Sequence, residues 1–310
     1  MWFECGDRLV HIPVLITEVT GWLLSQNPRV ILDCTVGYGG HAEILLRNSD
    51  STMKLIGLDR DGEAIASSKE RLAEFGDRVT LKQTDYRDLK CCLMDMGVPQ
   101  VGGVLFDLGV SSPQFDDPQR GFSFREDGPL DMRMDQTAGV TAATLVNRES
   151  EHALADIIYQ YGDERYARRI ARAIVRARER SPIKTTGELA SIIAKAVPSA
   201  YRHGRIHCAT RAFQALRIAV NRELESLEPA LDDAADLLAP GGRLCVVSFH
   251  SLEDRIVKRV FRALAQGPGA RLSVLTKKPI VPSDEECREN PRARSAKLRV
   301  AERVVERTTR

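Results

Sequence analysis

Short apolar runs alternate with amphipathic ones through the first third of the chain. Residues 30–34, 53–58, 78–82 and 101–107 are compact apolar-rich runs that read as strands. Between them, 40–48, 61–75 and roughly 86–95 repeat apolar positions at helical spacing. Strand–helix alternation at this interval predicts a parallel, doubly wound sheet. The alternation stops after Ser111. Residues 111–139 are rich in Pro, Gly, Asp and Phe without a steady period, and from about Ala142 to Leu238 the pattern is helical. The helical stretches are 150–161, 163–180, 186–196 and 208–238, with a break expected near Pro229. Ala239-Pro240-Gly241-Gly242 then leads into a strand at 243–248, a helix at 252–265 and late strands at 271–275 and 297–304. Residues 266–296, with Gly267, Pro268, Pro279, Pro282 and Pro291, read as mostly irregular. The expectation is an α/β sheet domain of residues 1–135 and 216–310, with an all-helical domain of residues 136–215 inserted into it.

Ligands of open α/β sheets bind beyond the carboxyl ends of the strands. Asp33, Asp59, Asp85 with Tyr86, and Asp107 each end or follow a strand, so they should converge on one crevice. The run Asp33-Cys34-Thr35-Val36-Gly37-Tyr38-Gly39-Gly40-His41 is a strand, a glycine-rich turn and a helix start. Glycines admit positive φ and close backbone approach, and a helix start offers free N–H groups. The turn is not G-x-G-x-x-G and has no Lys-Ser/Thr pair, which speaks against a phosphate-gripping loop. Asp33 would repel a pyrophosphate but suits a positively charged group, such as the amino end of a methionine moiety. Asp59, at the tip of the second strand, is placed to accept hydrogen bonds from ribose hydroxyls. The pattern resembles the S-adenosylmethionine site of class I methyltransferases. The plainer alternative is a turn that only joins strand to helix.

Composition changes this picture little. The 310 residues are 43% hydrophobic, enough for a sizeable core. The net charge of +2, from 45 basic and 43 acidic residues, does not announce nucleic-acid binding, so only local clustering could. No apolar run approaches the roughly 20 residues of a membrane span, and Met1–Val10 lacks a signal-peptide layout. A cytoplasmic protein that does not engage a membrane is expected. The seven cysteines, at 5, 34, 91, 92, 208, 245 and 287, form no C-x-x-C pair and read as reduced thiols. His203, His207 and Cys208 lie close in sequence, but Arg202, Arg205 and Arg211 surround them, and no metal is expected.

Candidate chemistry follows the fourth strand. In amino-methyltransferases this position holds side-chain and backbone oxygens that accept hydrogens from an exocyclic amine. A cytosine or adenine amine delocalises its lone pair into the ring, and accepting its hydrogens turns that lone pair toward the methyl group. Transfer then depends mainly on proximity and alignment. Asp107, Ser111 and Ser112 supply such oxygens, and Phe115, Phe122 and Phe124 supply stacking faces, unless the aromatics are simply tucked under a polar loop. The dense loop 121–135 includes Phe124, Asp131 and Arg133 and reads equally as a binding loop or as a hinge. Residues 164–184 carry eight Lys/Arg against two Glu; Arg165, Arg168, Arg169, Arg172 and Arg176 share a broad helical face. Arg202, Arg205, Arg211 and Arg217, with Tyr201 and Phe213 between them, form a second cluster. Basic clusters with aromatics suit phosphate contact and base stacking, although one such face is often only solvated surface. The C-terminal run Arg292, Arg294, Lys297, Arg299 could add a third contact. His250, after the strand at 243–248, is read as a positioning group, since a protonated methylated amine is too acidic to require a strong base.

Several blocks together resemble the MraW/RsmH family of small-subunit ribosomal RNA methyltransferases. They are His11-Ile12-Pro13-Val14-Leu15, Gly37-Tyr38-Gly39-Gly40-His41, Asp107-Leu108-Gly109-Val110-Ser111-Ser112-Pro113-Gln114, Arg120-Gly121-Phe122-Ser123-Phe124, Gly128-Pro129-Leu130-Asp131-Met132-Arg133-Met134, Ser248-Phe249-His250-Ser251-Leu252-Glu253-Asp254-Arg255 and Asn290-Pro291-Arg292-Ala293-Arg294-Ser295. They span nearly the whole chain in the family's order. The resemblance implies a Rossmann-like class I methyltransferase sheet with an inserted all-helical domain. It implies S-adenosyl-L-methionine as donor and, as acceptor, the N4 amine of one cytidine in the 16S rRNA of the small ribosomal subunit, near the decoding P site. It also implies a bacterial cytoplasmic setting and allows a homodimer. By analogy Gly39, Gly40, His41, Asp59, Tyr86, Asp107 and Gln114 line the cofactor site, with Asp33, Gly37 and Tyr38 beside them from the turn itself. Asp107, Ser111, Ser112 and His250 are the candidates at the reacting amine. Phe124, Asp131, Arg133, Arg168, Arg169, Arg172 and Arg211 are the candidates for holding RNA. Tyr86 stands where the family often has Phe, and Ser111-Ser112-Pro113 replaces the Pro-Pro of other cytosine-N4 enzymes. A noncatalytic RNA-binding assembly factor and an amino-methyltransferase acting on another nucleic acid remain as alternatives.

Overall fold

A computed structural model describes residues 13–204 and 206–305. The expectations attached to Met1–Val10, Cys5, His11-Ile12 and Arg205 lie outside the described residues. The chain divides into a sheet unit, Met1–Gly109 with Ser226–Arg310, and a helical unit, Val110–Glu225. The expected boundaries at 135 and 216 differ from these: residues 110–135 and 216–225 pack with the helices. The reason is visible in the loop 120–134, whose backbone is held by partners inside the helical unit.

The sheet unit begins with α1 (Ile16–Leu24), β1 (Val30–Asp33), α2 (Gly40–Asn48), β2 (Lys54–Asp59), α3 (Gly62–Arg71), β3 (Val79–Gln83), α4 (Leu89–Asp95) and β4 (Val101–Asp107). The helical unit carries α5 (Ser112–Asp116), α6 (Ala142–Arg148), α7 (Glu151–Gly162), α8 (Ala167–Arg178), α9 (Thr186–Ala196), α10 (Ser199–Arg202) and α11 (Thr210–Asn221). The chain returns through α12 (Glu223–Leu237), β5 (Leu238–Ser248), α13 (Ser251–Leu264), β6 (Leu272–Val274), α14 (Asp284–Glu289) and β7 (Lys297–Arg303).

Among the described residues the strands form one seven-stranded sheet in the order β3-β2-β1-β4-β5-β7-β6. The pairings from β3 to β5 are parallel, whereas β7 runs antiparallel to both β5 and β6. Strands covered on both faces are apolar throughout rather than alternating, which is why runs such as Val30-Ile31-Leu32 were legible. Leu32, Ile56, Val104, Phe106 and Val246 pack in one cluster with residues of α4, α12 and α13. Ile31, Leu55, Leu105, Cys245 and Val247 pack in another with residues of α1, α2 and α3. The helical unit has its own core, built from Leu154, Ile158, Ile170, Ile174, Leu189, Ile193, Phe213 and Leu216. No helix among the described residues is long and apolar enough to cross a membrane.

Two expectations about helix limits are corrected. The stretch 208–238 is broken at Arg222, which takes a left-handed conformation (φ 51°) and closes α11, while Pro229 sits inside α12. A proline inside a helix removes one backbone donor and crowds the carbonyl four residues before it, and packing of Leu227, Ala230 and Leu231 into the sheet's core holds the helix through it. The helix expected from 163 starts at Ala167, because Asp163 is left-handed (φ 49°) and ends α7. Residues 266–296 are mostly irregular, as expected, with β6, a short α14 that Ser283 caps by accepting the Glu286 N–H at 3.1 Å, and a 3-10 turn at Pro291–Ser295.

Candidate active site and nucleic-acid interface

Strand order reverses at β1: β2 and β3 lie on one side of it, β4 and β5 on the other. A crevice opens at the carboxyl ends of the strands at such a switch point. Asp33, Asp59 and Asp107 close the three adjacent strands β1, β2 and β4 there. Asp33 is 1% exposed. Its Oδ1 accepts the Thr35 N–H at 3.1 Å. Burial nonetheless pushes its carboxyl up to about 7; the nearby His41 pulls the other way, and Asp107 and Asp59 add to the rise. Asp59 accepts the Gly37 N–H on Oδ2 and the Asp61 N–H on Oδ1, each at 2.9 Å. Burial outweighs both bonds and raises it to about 6.

Asp107 is anchored through its N–H, which donates to Thr35 Oγ1 at 2.6 Å. Its Oδ2 lies 3.4 Å from His41 Nε2, an ion-pair contact rather than a well-formed hydrogen bond, and among the described residues its buried Oδ1 has no hydrogen-bond partner. His41 is 6% exposed, and among the described residues neither ring nitrogen makes a well-formed hydrogen bond. Burial favours its neutral form, but Asp107, then Asp33 and Glu286, prevail and raise its pKa. Three carboxylates therefore share a buried corner with one imidazole. Buried charge without a partner is costly, and three acids gathered around one imidazole give this corner an excess of negative charge. A ligand carrying an ammonium or sulfonium centre together with a ribose diol fits these residues.

The turn that frames the corner depends on glycine. Gly37 (φ 52°) and Gly39 (φ 80°) are left-handed, and Gly39 is the N-cap of α2. A Cβ on Gly40 would stand 2.5 Å from Pro13 Cγ. Ser68 Oγ donates to the Gly37 carbonyl at 2.5 Å, and Arg71 Nη1 reaches the Tyr38 carbonyl at 3.5 Å. Tyr86 is half-buried just past β3, its ring edge-on to Phe106 at 5.7 Å. His250 is the N-cap of α13: its Nδ1 accepts the Glu253 N–H at 3.3 Å. Glu253 in turn accepts the Phe249 N–H at 2.8 Å and the His250 N–H at 3.3 Å. One ring nitrogen of His250 is thus engaged in capping α13 at the end of the β5–α13 turn.

In the helical unit, Ser111 and Gln114 form a capping box on α5: Ser111 Oγ accepts the Gln114 N–H at 3.4 Å and Gln114 Oε1 accepts the Ser111 N–H at 2.9 Å. Ser112 is the first residue of that helix. Asp131 and Arg133 form a two-pronged pair at 2.9 and 2.8 Å. Phe124 lies 4.7 Å from both the His207 and Phe213 rings. Phe122 is buried under Arg120 and belongs to the core, so for this residue the tucked-under alternative holds.

The α8 arginines do share an outward face. Arg168, Arg169, Arg172 and Arg176 are exposed while Ala167, Ile170, Ala171 and Ile174 are buried. Arg172 is tied to Glu151 at 3.3 Å, and Arg211 donates to the Asp163 carbonyl at 3.0 Å. Arg217 leaves the basic cluster: its guanidinium grips Glu223 at 2.9 and 2.7 Å.

Two residues that sequence reading missed hold the loop 120–134. Asn221 donates to the Met132 carbonyl at 2.8 Å and accepts the Met134 N–H at 2.9 Å. Arg120, 2% exposed, donates to the Arg133 and Met134 carbonyls at 3.2 and 3.0 Å. Met132 is left-handed (φ 65°) between them. No local signal marks Asn221, which lies 87 residues from Met134 in sequence.

The reversed strand order, the glycine turn after β1 and the carboxylates closing β1, β2 and β4 define an α/β protein of the Rossmann-like class I methyltransferase type. Residues 8–304 match the MraW methylase family. The chain is 52% identical over 295 residues to the ribosomal RNA small subunit methyltransferase H of Synechococcus elongatus, covering 95% of each chain. It is 48% identical over 312 residues to the protein of the same name from Syntrophus aciditrophicus, covering 96% of this chain and 99% of that one. An rRNA methylase structure from Streptococcus thermophilus aligns with a TM-score of 0.45 at 11% identity, over 96% of this chain and 100% of that one, too distant to add to what the sheet itself shows. The chain belongs to the MraW methylase family and is an S-adenosylmethionine-dependent methyltransferase.

Proposed function

We propose that the protein transfers the methyl group of S-adenosylmethionine to the N4 amine of one cytidine in the 16S rRNA of the small ribosomal subunit, at the decoding P-site region. The observation that carries this reading is the buried acidic corner at the β1/β4 switch point, with Asp107 Oδ1 held there unpartnered. When bound, the cofactor supplies an electrophilic methyl on a sulfonium. Asp33 holds the ammonium end and Asp59 the ribose hydroxyls. Gly37, Tyr38, Gly39 and Gly40 bring backbone close to the ligand, His41 sets Asp107, and Tyr86 walls the adenine. Asp107 accepts a hydrogen of the target amine and so turns its lone pair toward the methyl group. Ser111 and Ser112, four and five residues further on, offer further oxygens. The proton leaves the methylated amine readily, so His250 serves the shape of its turn.

On this reading the helical unit meets the RNA. Phe124, Asp131 and Arg133 frame the base, and Arg168, Arg169, Arg172 and Arg211 contact phosphates. The target cytidine leaves its stack to be methylated. The setting is the cytoplasm, where small subunits assemble, and a homodimer is the form the family suggests. The test is transfer of labelled methyl from S-adenosylmethionine to small subunits lacking the modification, with mapping of the labelled base. Label on the N4 of one P-site cytidine is the expected result, with Asp107→Ala inactive. Cofactor binding without transfer to any ribosomal particle would overturn the assignment.

A further inference from the structure

Arg165, one of the arginines of the expected basic face, sits between α7 and α8 in a side-chain arrangement that sequence spacing does not reveal. Glu164 is 0% exposed at the edge of an apolar core. Its Oε1 accepts the Tyr166 N–H at 2.8 Å and its Oε2 accepts the Tyr201 hydroxyl at 2.6 Å. Burial, and then this bond, pushes the Tyr201 hydroxyl up to about 12, so it remains a donor. The Tyr166 and Tyr201 rings stand 4.9 Å apart at 67°. The guanidinium of Arg165 lies 4.9 Å from each ring centroid.

Glu164 and Arg165 are neighbours in sequence, yet they do not pair. The acid points inward and fixes a tyrosine, whereas the cation points outward and is steadied by aromatic faces. Arg165 is exposed, and among the described residues no carboxylate or carbonyl takes its N–H groups. A flat guanidinium held by π faces keeps its in-plane donors available, and two parallel N–H groups match two oxygens of a phosphate. Holding it in advance reduces the side-chain entropy lost on binding. An arginine merely resting on the surface would not need a fully buried carboxylate to fix one of the rings beneath it. One oxygen of Glu164 serves the backbone at the start of α8, and the other holds the Tyr201 hydroxyl, a bond that apolar packing at 201 would not need. Arg211, in the first turn of α11, also acts on the Tyr201 hydroxyl, so the positive potential is shared at this spot.

We propose that Arg165, clamped by Tyr166 and Tyr201 over the buried Glu164, is a preset docking site for one backbone phosphate of single-stranded RNA. This rests on the reading of the substrate as RNA and adds to it a particular anchoring point.

The test is binding of a fluorescein-labelled single-stranded RNA oligonucleotide to the full-length protein across a range of salt concentrations. Cofactor binding is measured by calorimetry on the same preparations. Arg165→Ala is expected to weaken RNA binding roughly tenfold near physiological salt. It should also flatten the slope of log affinity against log salt by about 0.7, the value for one phosphate contact on a single strand. Arg165→Lys should restore the slope but not the full affinity, because it keeps the charge and loses the planar fork. Tyr201→Phe should lower affinity with the slope unchanged, because the charge remains and its support loosens. All three should bind cofactor as the parent does. Parent-like affinity and slope in Arg165→Ala would overturn the proposal while leaving the RNA reading intact, since the parent would still bind. A parent protein that binds cofactor but not the oligonucleotide would overturn the docking site, while methyl transfer to small subunits decides the RNA reading separately. If Tyr201→Phe does not fold, the two Arg165 variants decide the question.

Discussion

On the proposed reading, in which Asp33 holds the ammonium end of the cofactor, cofactor binding depends on pH. The Asp33 carboxyl is raised from an ordinary 3.8 to about 7, chiefly by burial, with Asp107 and Asp59 adding to the rise and His41 and the Thr35 N–H opposing it. The direction for stability follows from proton counting. Between about pH 4 and pH 7 the folded protein keeps a proton that the unfolded chain has released, so the cofactor-free protein loses stability as pH rises through that window and levels off above it. Each pH unit is worth about 1.4 kcal/mol, so this one group accounts for at most about 4 kcal/mol.

A cationic ligand reverses the preference, because it favours the ionised carboxylate. Below about pH 7 binding must release the proton, and affinity should rise by up to tenfold per pH unit before reaching a plateau. Asp59, raised to about 6 by burial, should steepen the dependence below that pH. The assay is calorimetric titration with S-adenosylhomocysteine, which carries the same ammonium but no transferable methyl. Measured from pH 5.5 to 8 in two buffers of different ionisation heat, it counts the protons released. Asp33→Asn should bind more weakly at pH 8, lose the dependence near 7 and keep the one near 6. Its cofactor-free form should also lose less thermal stability than the parent between pH 5 and 8. Affinity independent of pH between 6 and 8 in the parent, or an unchanged dependence in Asp33→Asn, would refute the reasoning.

Asp59→Ala removes the acceptor for the Gly37 and Asp61 N–H groups along with the ribose acceptors, and should weaken cofactor binding at least tenfold by calorimetry while RNA affinity stays within about twofold. Gly40→Ala places a methyl 2.5 Å from the Pro13 ring and should cost about 1–3 kcal/mol in denaturant unfolding; an unchanged midpoint would show that Pro13 yields freely. Asn221→Ala removes three hydrogen bonds to the Met132, Met134 and Arg217 backbone and should cost roughly 2–4 kcal/mol. Limited proteolysis of that variant should show faster cleavage within 120–134, whereas parent-like resistance would mean that Arg120 alone holds the loop.

Much of the fold and of the cofactor corner was legible in the chain itself, for local physical reasons. Strands buried on both faces must be apolar throughout, so β1, β2 and β4 stood out as runs, and the acids at their tips fell at the strand ends where α/β sheets bind ligands; β3, an edge strand with Lys82 and Gln83 exposed, carried the weaker signal. The left-handed turn after β1 required glycine and was therefore visible as Gly37 and Gly39. Tertiary structure decided what depends on partners distant in sequence. Pro229 remains inside α12 because core packing outweighs one lost hydrogen bond, and the break falls at Arg222, where no glycine or proline announces it. Arg217 is removed from the basic surface by Glu223, and Phe122 becomes core beneath Arg120. The loop 120–134 belongs to the helical unit because Asn221 holds its backbone. Whether an arginine is free to meet a phosphate, like Arg165, or occupied by a carboxylate, like Arg217, is settled by which groups the folded chain brings within about 3 Å of it. Spacing along the sequence places charges on a face, and only packing pairs them.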